Sequence, residues 1–291
     1  MSSQNAPLLS LILCTVDRVI ELEHFFASIS NGGLRTELIV VDQNNDQTLV
    51  ARLVKTVSGR FFKVTVLHVP RISLAFARNQ ALAIAQGRFV AFPDDDCTYP
   101  SGLIEAVEAR LTDPLFSQKW KGMCFSFPGA KAHVGSSIGR FELMGKVISF
   151  SFVLQRLDDI GNVFYFDERL GVGNFFGAGE ESEYLFRGLG QGRMLYIGDV
   201  TISHPEKTLS SFERERSYGR GFGALARVFL SDGSFQGLII SSKILLGPIF
   251  KIALFAFAMK WSAIPYILTS ALARFEGFFK FDPAKESSRA G

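Results

Sequence analysis

Asp94-Asp95-Asp96 is the run of residues best suited to chemistry in this chain. Three adjacent carboxylates repel one another and disfavour their own charged forms. Such a run needs a cation or strong hydrogen-bond donors to persist. Hard oxygen ligands suit Mg²⁺ or Mn²⁺, and a metal so held can bridge a diphosphate and neutralise it as a leaving group. A solvated turn, or an N-cap for a helix beginning after Pro100, would need one Asp rather than three.

A second cluster is Gly177-Ala178-Gly179-Glu180-Glu181-Ser182-Glu183-Tyr184. A glycine-flexed loop leads into a helix that opens on acidic residues. Capping accounts for the cluster, because first-turn carboxylates complement the helix dipole. A general base accounts for it too: beside the apolar Phe175-Phe176 pair, a carboxylate can acquire a pKa suited to deprotonating a hydroxyl. His204, between an apolar run and Pro205, reads as a structural histidine, a further metal ligand or a phosphate donor. Arg78 and Asn79 share a helix, and the Arg fork matches diphosphate oxygens as well as it matches a surface carboxylate.

The elements that must position these residues follow from periodicity. Leu8–Leu13 is a short continuous apolar run, as in a strand buried on both faces. Val19, Leu22, Phe25, Phe26 and Ile29 then recur at helical spacing, and Asn31-Gly32-Gly33 ends that helix. Strands are expected at Glu37–Val41, Val64–Val69 and Arg88–Phe92, with helices at Thr48–Val57 and Ser73–Gln86 between them. Strands alternating with helices imply right-handed βαβ units and a parallel sheet. The polar clusters then all follow strands, at the carboxyl edge where open α/β sheets bind ligands. Residues 115 to 175 predict short strands and loops, residues 180 to 190 a helix, and Met194–Ile197 and Val200–Ser203 two short strands. There is no internal repeat.

The 291 residues, 47% hydrophobic and 20% charged, suffice for one large α/β domain with an appendage. A net charge of +3, with no basic run interleaved with aromatics, points away from nucleic acid. Cys14, Cys97 and Cys124 form neither a disulfide framework nor a zinc spacing, which suits a reducing cytoplasm. MSSQNAPLLSLILC lacks a basic n-region and reads as a first strand rather than a signal peptide. From about Phe235 the chain turns strongly apolar, but Lys243, Lys251 and Pro248 interrupt any simple bilayer span. Helices lying in the membrane interface tolerate such lysines. The expected division is therefore a domain over 1–230 and membrane-associating or packing helices over 231–291. Contact with the inner face of the membrane runs through 236–280, with a re-entrant hairpin, a buried helix pair or a homodimer contact as alternatives.

Taken in order and spacing, these motifs resemble family-2 glycosyltransferases with the GT-A fold. Leu-Ser-Leu-Ile-Leu-Cys-Thr-Val-Asp-Arg is similar to the family's first strand and Thr-Tyr-Asn-Arg turn, and Leu38–Asn45 to its second strand. Ala77-Arg78-Asn79-Gln80-Ala81-Leu82 is similar to its Arg-Asn helix, and Phe92-Pro93-Asp94-Asp95-Asp96-Cys97 to its Asp-x-Asp segment. Gly179-Glu180-Glu181 sits where the family has its Glu-Asp pair, and His204 where some members supply a metal ligand. The resemblance covers Leu8 to His204. It implies a Rossmann-like, mostly parallel sheet flanked by helices, here with a C-terminal apolar helical appendage.

The resemblance also implies an inverting, metal-dependent transfer from a nucleotide-diphosphate sugar to a glycan or glycolipid acceptor, lipid-linked or polysaccharide. Mn²⁺ or Mg²⁺ would be the cofactor. Asp42 and Gln43 would contact the base, with Thr15 and Asp17 lining the same pocket, and Arg78 and Asn79 would serve the donor. Asp95 would face ribose or diphosphate, and Asp94 would stand beside it. Asp96, with His204, would bind the metal, and Glu181 or Glu180 would activate the acceptor hydroxyl. Val16 stands where the family has Tyr, Gln43 where Asp is common and Glu181 where Asp is usual. Two alternatives remain. Asp94, Asp96 and Thr98 also match the Asp-x-Asp-x-Thr of haloacid-dehalogenase-type phosphotransferases, although that motif usually follows the first strand. A non-catalytic, sugar-nucleotide-binding membrane adaptor is the other.

Overall fold

The apolar runs at the start of the chain become the buried heart of a sheet. The computed structural model describes residues 6–29, 32–130, 132–158, 160–205 and 211–285. β1 (Leu9–Thr15), β2 (Thr36–Asp42), β3 (Lys63–His68) and β4 (Phe89–Ala91) run parallel in the order β3-β2-β1-β4. β2 and β4 are buried throughout and β1 nearly so, whereas β3 is a half-exposed edge. The connections are helical: α1 (Val19–Ser28), α2 (Thr48–Val57) and α3 (Leu74–Ile84). These elements match the periodicity within about two residues at each end, the usual scatter of helix and strand boundaries. Of the predicted stop after α1, Asn31 lies outside the described residues. The two glycines beside it are needed for close packing. A Cβ on Gly32 would stand 1.9 Å from the Arg60 carbonyl oxygen, and one on Gly33 2.1 Å from Glu108 Oε1.

One buried carboxylate ties this half of the sheet together. Glu37 Oε1, inside β2, accepts from Ser10 Oγ of β1 at 2.6 Å and from the backbone N–H of Gln86 at 2.6 Å and Gly87 at 3.0 Å. The turn between α3 and β4 is thereby fixed to β1 and β2, and the buried charge is hydrogen-bonded, as burial requires.

Beyond β4 the sheet turns mixed. β5 (Gly122–Ser126), β6 (Ser137–Gly139), β7 (Phe152–Gln155) and β8 (Arg193–Thr201) extend it to eight strands, ordered β3-β2-β1-β4-β7-β5-β8-β6. β7 is antiparallel to both β4 and β5, β5 is parallel to β8, and β6 is antiparallel to β8. The two short strands expected at Met194–Ile197 and Val200–Ser203 are a single strand, β8. Its register jumps from Phe125↔Ile197 to Ser126↔Thr201. A bulge absorbs the polar interruption at Gly198-Asp199 that breaks the pattern in the sequence. α4 (Leu103–Thr112) and α5 (Pro114–Lys119) complete the cover, burying Leu103, Ile104, Val107, Leu111 and Phe116 in the same core as β1 and β2. The chain is thus α/β, with a mostly parallel GT-A-like sheet and helices around it.

The chain forms two compact units. The first holds the whole sheet: Met1–Ile72, Phe76–Tyr165 and Leu185–Pro205. The second holds Ser73–Ala75, Phe166–Tyr184 and Glu206–Gly291. Within the second, α7 (Phe212–Ser231), α8 (Phe235–Phe257) and α9 (Ile264–Lys280) pack on one another. Ser211 and Ser234 cap α7 and α8 by accepting from Arg214 N and Gly237 N. Contact between α7 and α9 is made by small residues. A Cβ on Gly219 would meet Ala273 Cβ at 2.7 Å, one on Gly223 the Arg274 carbonyl oxygen at 2.0 Å, and one on Gly277 the Arg220 carbonyl oxygen at 2.0 Å. Among the described residues, α8 is the helix long and apolar enough to cross a membrane by length and composition.

Candidate active site

The strand order places a crevice beside β1. β2 lies on one side of it and β4 on the other, so successive connections leave in opposite directions, and ligands bind at the carboxyl ends of strands at such a switch point. Asp94 arrives there directly from β4 and bridges Cys14 of β1.

The three aspartates do different things. Asp95 is buried and accepts from Thr15 Oγ1 at 2.8 Å and from Arg18 Nη1 at 3.1 Å. Burial pushes its pKa up to about 6, against the opposing pull of Thr15 and Arg18. Asp96 accepts from Arg18 Nη1 at 2.6 Å through Oδ2. Its pKa is held below the usual value chiefly by the His204 ring. Asp94 lies 3.3 Å from Arg78 Nη2, and Ser149 Oγ stands 3.3 Å from both its oxygens. Arg78 is itself almost wholly buried, over the Phe92 ring. Asn79, next to it on α3, is also buried.

His204 closes the cluster. Its Nδ1 stands 2.8 Å from the Pro205 carbonyl oxygen, and its ring stacks on Phe150 at 4.8 Å with 6° between planes. Its Nε2 faces Asp96 Oδ1 at 3.0 Å and Asp94 Oδ2 at 3.9 Å. The neighbouring carboxylates raise its pKa, Asp96 first. A carbonyl beside Nδ1 demands a proton there, so the neutral ring turns its Nε2 lone pair toward two carboxylates. That arrangement suits a shared cation, with the Pro205 carbonyl orienting the ring from behind.

The donor set fits a divalent metal. Asp94, Asp96 and His204 each offer one ligand atom, all within 4.8 Å of one another. Asp96 Oδ1 is buried without a hydrogen-bond donor among the described residues, 3.0 Å from an Nε2 that in the neutral ring carries no proton. Two carboxylate oxygens and an imidazole nitrogen are a donor set that Mn²⁺ or Mg²⁺ could accept.

At the end of β2, Asp42 pairs in register with Thr15, and Gln43 N donates to the Thr15 carbonyl. Asp42 is buried. Its Oδ1 accepts from Asn44 N and Nδ2 at 2.9 and 2.7 Å, and His68 Nδ1 stands 3.2 Å from its Oδ2. Gln43 Nε2 donates to the Pro70 carbonyl at 3.0 Å. Asp17 adopts a left-handed backbone, φ 57°, which is uncommon outside glycine but which Asp tolerates better than most side chains. It is held by its N–H on Asn44 Oδ1 and by its carboxylate on Arg71. Thr15, Asp42, Gln43, Arg78, Asn79, Asp94, Asp95, Asp96 and His204 thus gather around the carboxyl ends of β1, β2 and β4, with Asp17 exposed just beyond them.

Glu180 and Glu181 open α6 (Glu180–Leu189), in the second unit. Glu180 is buried, and its carboxyl packs so tightly on Gly171 that a Cβ there would stand 2.7 Å from it. Glu181 is half-exposed.

Three participants escaped the sequence reading. Arg18 bridges Asp95 and Asp96, Ser149 reaches Asp94, and Phe150 braces His204. Arg18 directly follows Asp17 in the first turn, but its partners lie 77 and 78 residues away. Ser149 and Phe150 lie in an irregular stretch whose position only the folded sheet defines.

Residues 10–118 match the family model described as Glycosyl transferase family 2. The chain is similar in structure to the mannosyltransferase PcManGT from Pyrobaculum calidifontis in complex with GDP-Man and Mn²⁺. That match has TM-score 0.62 and 15% identity, covering 92% of this chain and 87% of the other. It is similar also to S. aureus TarS 1–349 in complex with UDP-GlcNAc, with TM-score 0.59, 17% identity, and coverage of 93% and 81%. No curated protein matches the sequence.

Proposed function

We propose that this chain, whose residues 10–118 match the model of glycosyl transferase family 2, is a member of that family and moves a sugar from a nucleotide diphosphate to an acceptor hydroxyl with inversion. The observation that carries this reading is the set Asp94, Asp96 and His204 at the switch point, beside a buried Asp95. A resident Mn²⁺ or Mg²⁺ would neutralise the departing diphosphate. The two similar structures described with GDP-Man and Mn²⁺, and with UDP-GlcNAc, support a nucleotide sugar as donor.

The chain's own groups divide the work. Asp42 and Gln43 receive the base, with Thr15 and Asp17 beside them. Asp95 accepts a hydroxyl of the ribose or faces the diphosphate, and its raised pKa falls once a cation is near. Arg18, now spent on Asp95 and Asp96, turns to the diphosphate oxygens. Arg78, locked by Phe92 and Asp94, holds the acidic turn in place. Glu181, or Glu180, takes the proton of the attacking hydroxyl as the bond to the anomeric carbon forms and the bond to the diphosphate oxygen breaks. The acceptor is lipid-linked or part of a polysaccharide, and the protein works at the cytoplasmic face of a membrane, met through 236–280. In this division 1–230 carries the catalysis and 231–291 the attachment.

Asp96→Ala removes a metal ligand and lowers turnover by about 10³-fold or more with every accepted donor, while the melting temperature in metal-free buffer stays within a few degrees. Sugar release with purified protein, with and without Mn²⁺, reads this out. Turnover that survives exhaustive chelation sinks the metal-assisted mechanism.

A further inference from the structure

The C-terminal helices are built inside out. Along α8 the buried positions are Gly237, Ser241, Ile244 and Pro248, spaced as one helical stripe and mostly small. Its large apolar residues face outward: Phe250 is 74% exposed, Leu254 64% and Phe257 90%, and after the turn Met259 and Trp261 are exposed as well. On α9 the buried set is Ser270, Ala271, Ala273 and Gly277, while Leu268, Leu272 and Phe279 are exposed. Gly219-x₃-Gly223 on α7 meets Ala273-x₃-Gly277 on α9 at backbone distance. Small residues inside and large apolar residues outside is how helices pack when the surrounding solvent is lipid. From Phe235 to Phe275 there are four cations, Lys243, Lys251, Lys260 and Arg274, and no carboxylate. Such a fringe suits an anionic leaflet.

A cavity of about 240 Å³ opens within this unit, among α7, α8 and α9. That is far more than the about 10–15 Å³ a single water needs. Glu215, Pro248, Lys251, Tyr266, Ser270 and Arg274 line it. The arrangement starts from Pro248. Lacking an N–H, it frees the Ile244 carbonyl one turn back. Arg274 Nη1 donates to that carbonyl at 2.6 Å, which pins α9 to α8. The guanidinium, over the Phe222 ring, then keeps a buried Nε–H with no hydrogen-bond partner among the described residues. Burial pulls the pKa of Arg274 below its usual value, and Glu215 only partly opposes this. A buried donor on a cation favours an anion. With Lys251 and Arg274 set against Glu215, the lining carries one net positive charge, the complement of a phosphodiester.

We infer that this cavity holds the phosphate of a membrane phospholipid, with the acyl chains lying along the exposed apolar faces of α8 and α9. Arg274 Nε, Lys251 and the Tyr266 hydroxyl are its donors. The inference goes beyond the transferase reading, and its test uses no sugar donor, so the two stand or fall separately.

Lys251 and Lys260 make a matched pair. Their ammonium groups lie 5.2 and 5.6 Å from the centre of the same Phe255 ring, both side chains are exposed, and only Lys251 lines the cavity. Binding of the full chain to phosphatidylcholine vesicles, with and without phosphatidylglycerol, is measured by flotation for wild type, Lys251→Gln and Lys260→Gln. Loss of one surface charge weakens binding to the anionic vesicles about fivefold. Loss of a cavity donor costs about tenfold beyond that. Lys251→Gln is therefore expected to lose roughly fiftyfold and Lys260→Gln about fivefold, with Tyr266→Phe weakened while net charge is unchanged. Equal losses for the two lysines, or no loss for either, overturn the cavity assignment. A thermal shift by inorganic phosphate alone that vanishes in Lys251→Gln makes free phosphate the occupant and overturns the lipid.

Discussion

Two apolar stretches of this chain meet opposite fates. Leu8–Leu13 is buried at every position, with its neighbours β2 and β4 on either side. α8 is a longer apolar run of 23 residues, and the 18-residue apolar window in it is only 17% buried. The first is short, β-branched in part and followed by a polar turn, so it suits the middle of a parallel sheet. The second alternates bulky apolar residues with a stripe of Gly, Ser and Pro, and it packs through the stripe. Hydrophobicity alone therefore does not say which side of an element is inside. The size of the residues on each face does.

The contrast breaks most sharply under a pair of matched substitutions. Leu13→Asp puts a carboxylate into the sheet core and is expected to cost about 4 kcal/mol or more, enough to abolish folding. Phe250→Asp should change stability in lipid-free buffer by less than about 0.5 kcal/mol while removing vesicle binding. Urea titration and flotation together decide it. Large destabilisation by Phe250→Asp would mean that α8 is covered by protein after all.

A second substitution probes the packed face. Gly277→Leu drives a side chain into the Arg220 carbonyl, 2.0 Å from the first added carbon. Overpacking of this kind costs about 1–3 kcal/mol, whereas Leu272→Ala on the exposed face of the same helix is expected to be nearly silent by differential calorimetry.

The smallest effect is electrostatic. Glu276 is paired with Arg220 and Lys280, and these hydrogen bonds lower its pKa from 4.5 to about 2. A carboxylate depressed in the folded state contributes stability that is fully present above its ordinary pKa and is lost as pH falls toward 2. The C-terminal unit should therefore weaken modestly between pH 5 and pH 2, and Glu276→Gln should flatten that part of the melting-temperature profile. The network is only partly buried, and solvent around Lys280 screens it, so the effect stays small; an unchanged profile in the variant would show that the pairs contribute nothing.

Much of the first unit was legible from periodicity. The parallel half of the sheet and its helices follow from apolar runs of strand length alternating with helical spacing. Asp94, Asp95, Asp96 and Thr15 could be placed at a ligand-binding edge because each ends or follows such a run. The mixed half was not legible, since β6 and β7 are three and four residues long and their pairing is non-local. Arg18 remained hidden for a different reason: whether it meets solvent or two aspartates 77 and 78 residues away depends on the register of β1 against β4.

By itself, the sequence determined the element types, the acidic run with its need for a cation, and the apolar character of the C-terminus. These are local properties, set by neighbours a few residues apart. Tertiary structure alone decided which carboxylates share His204, that Arg274 answers the carbonyl freed by Pro248, and that α8 turns its large residues outward. Each of those depends on contacts across tens of residues, where chain closure rather than local preference selects the partner.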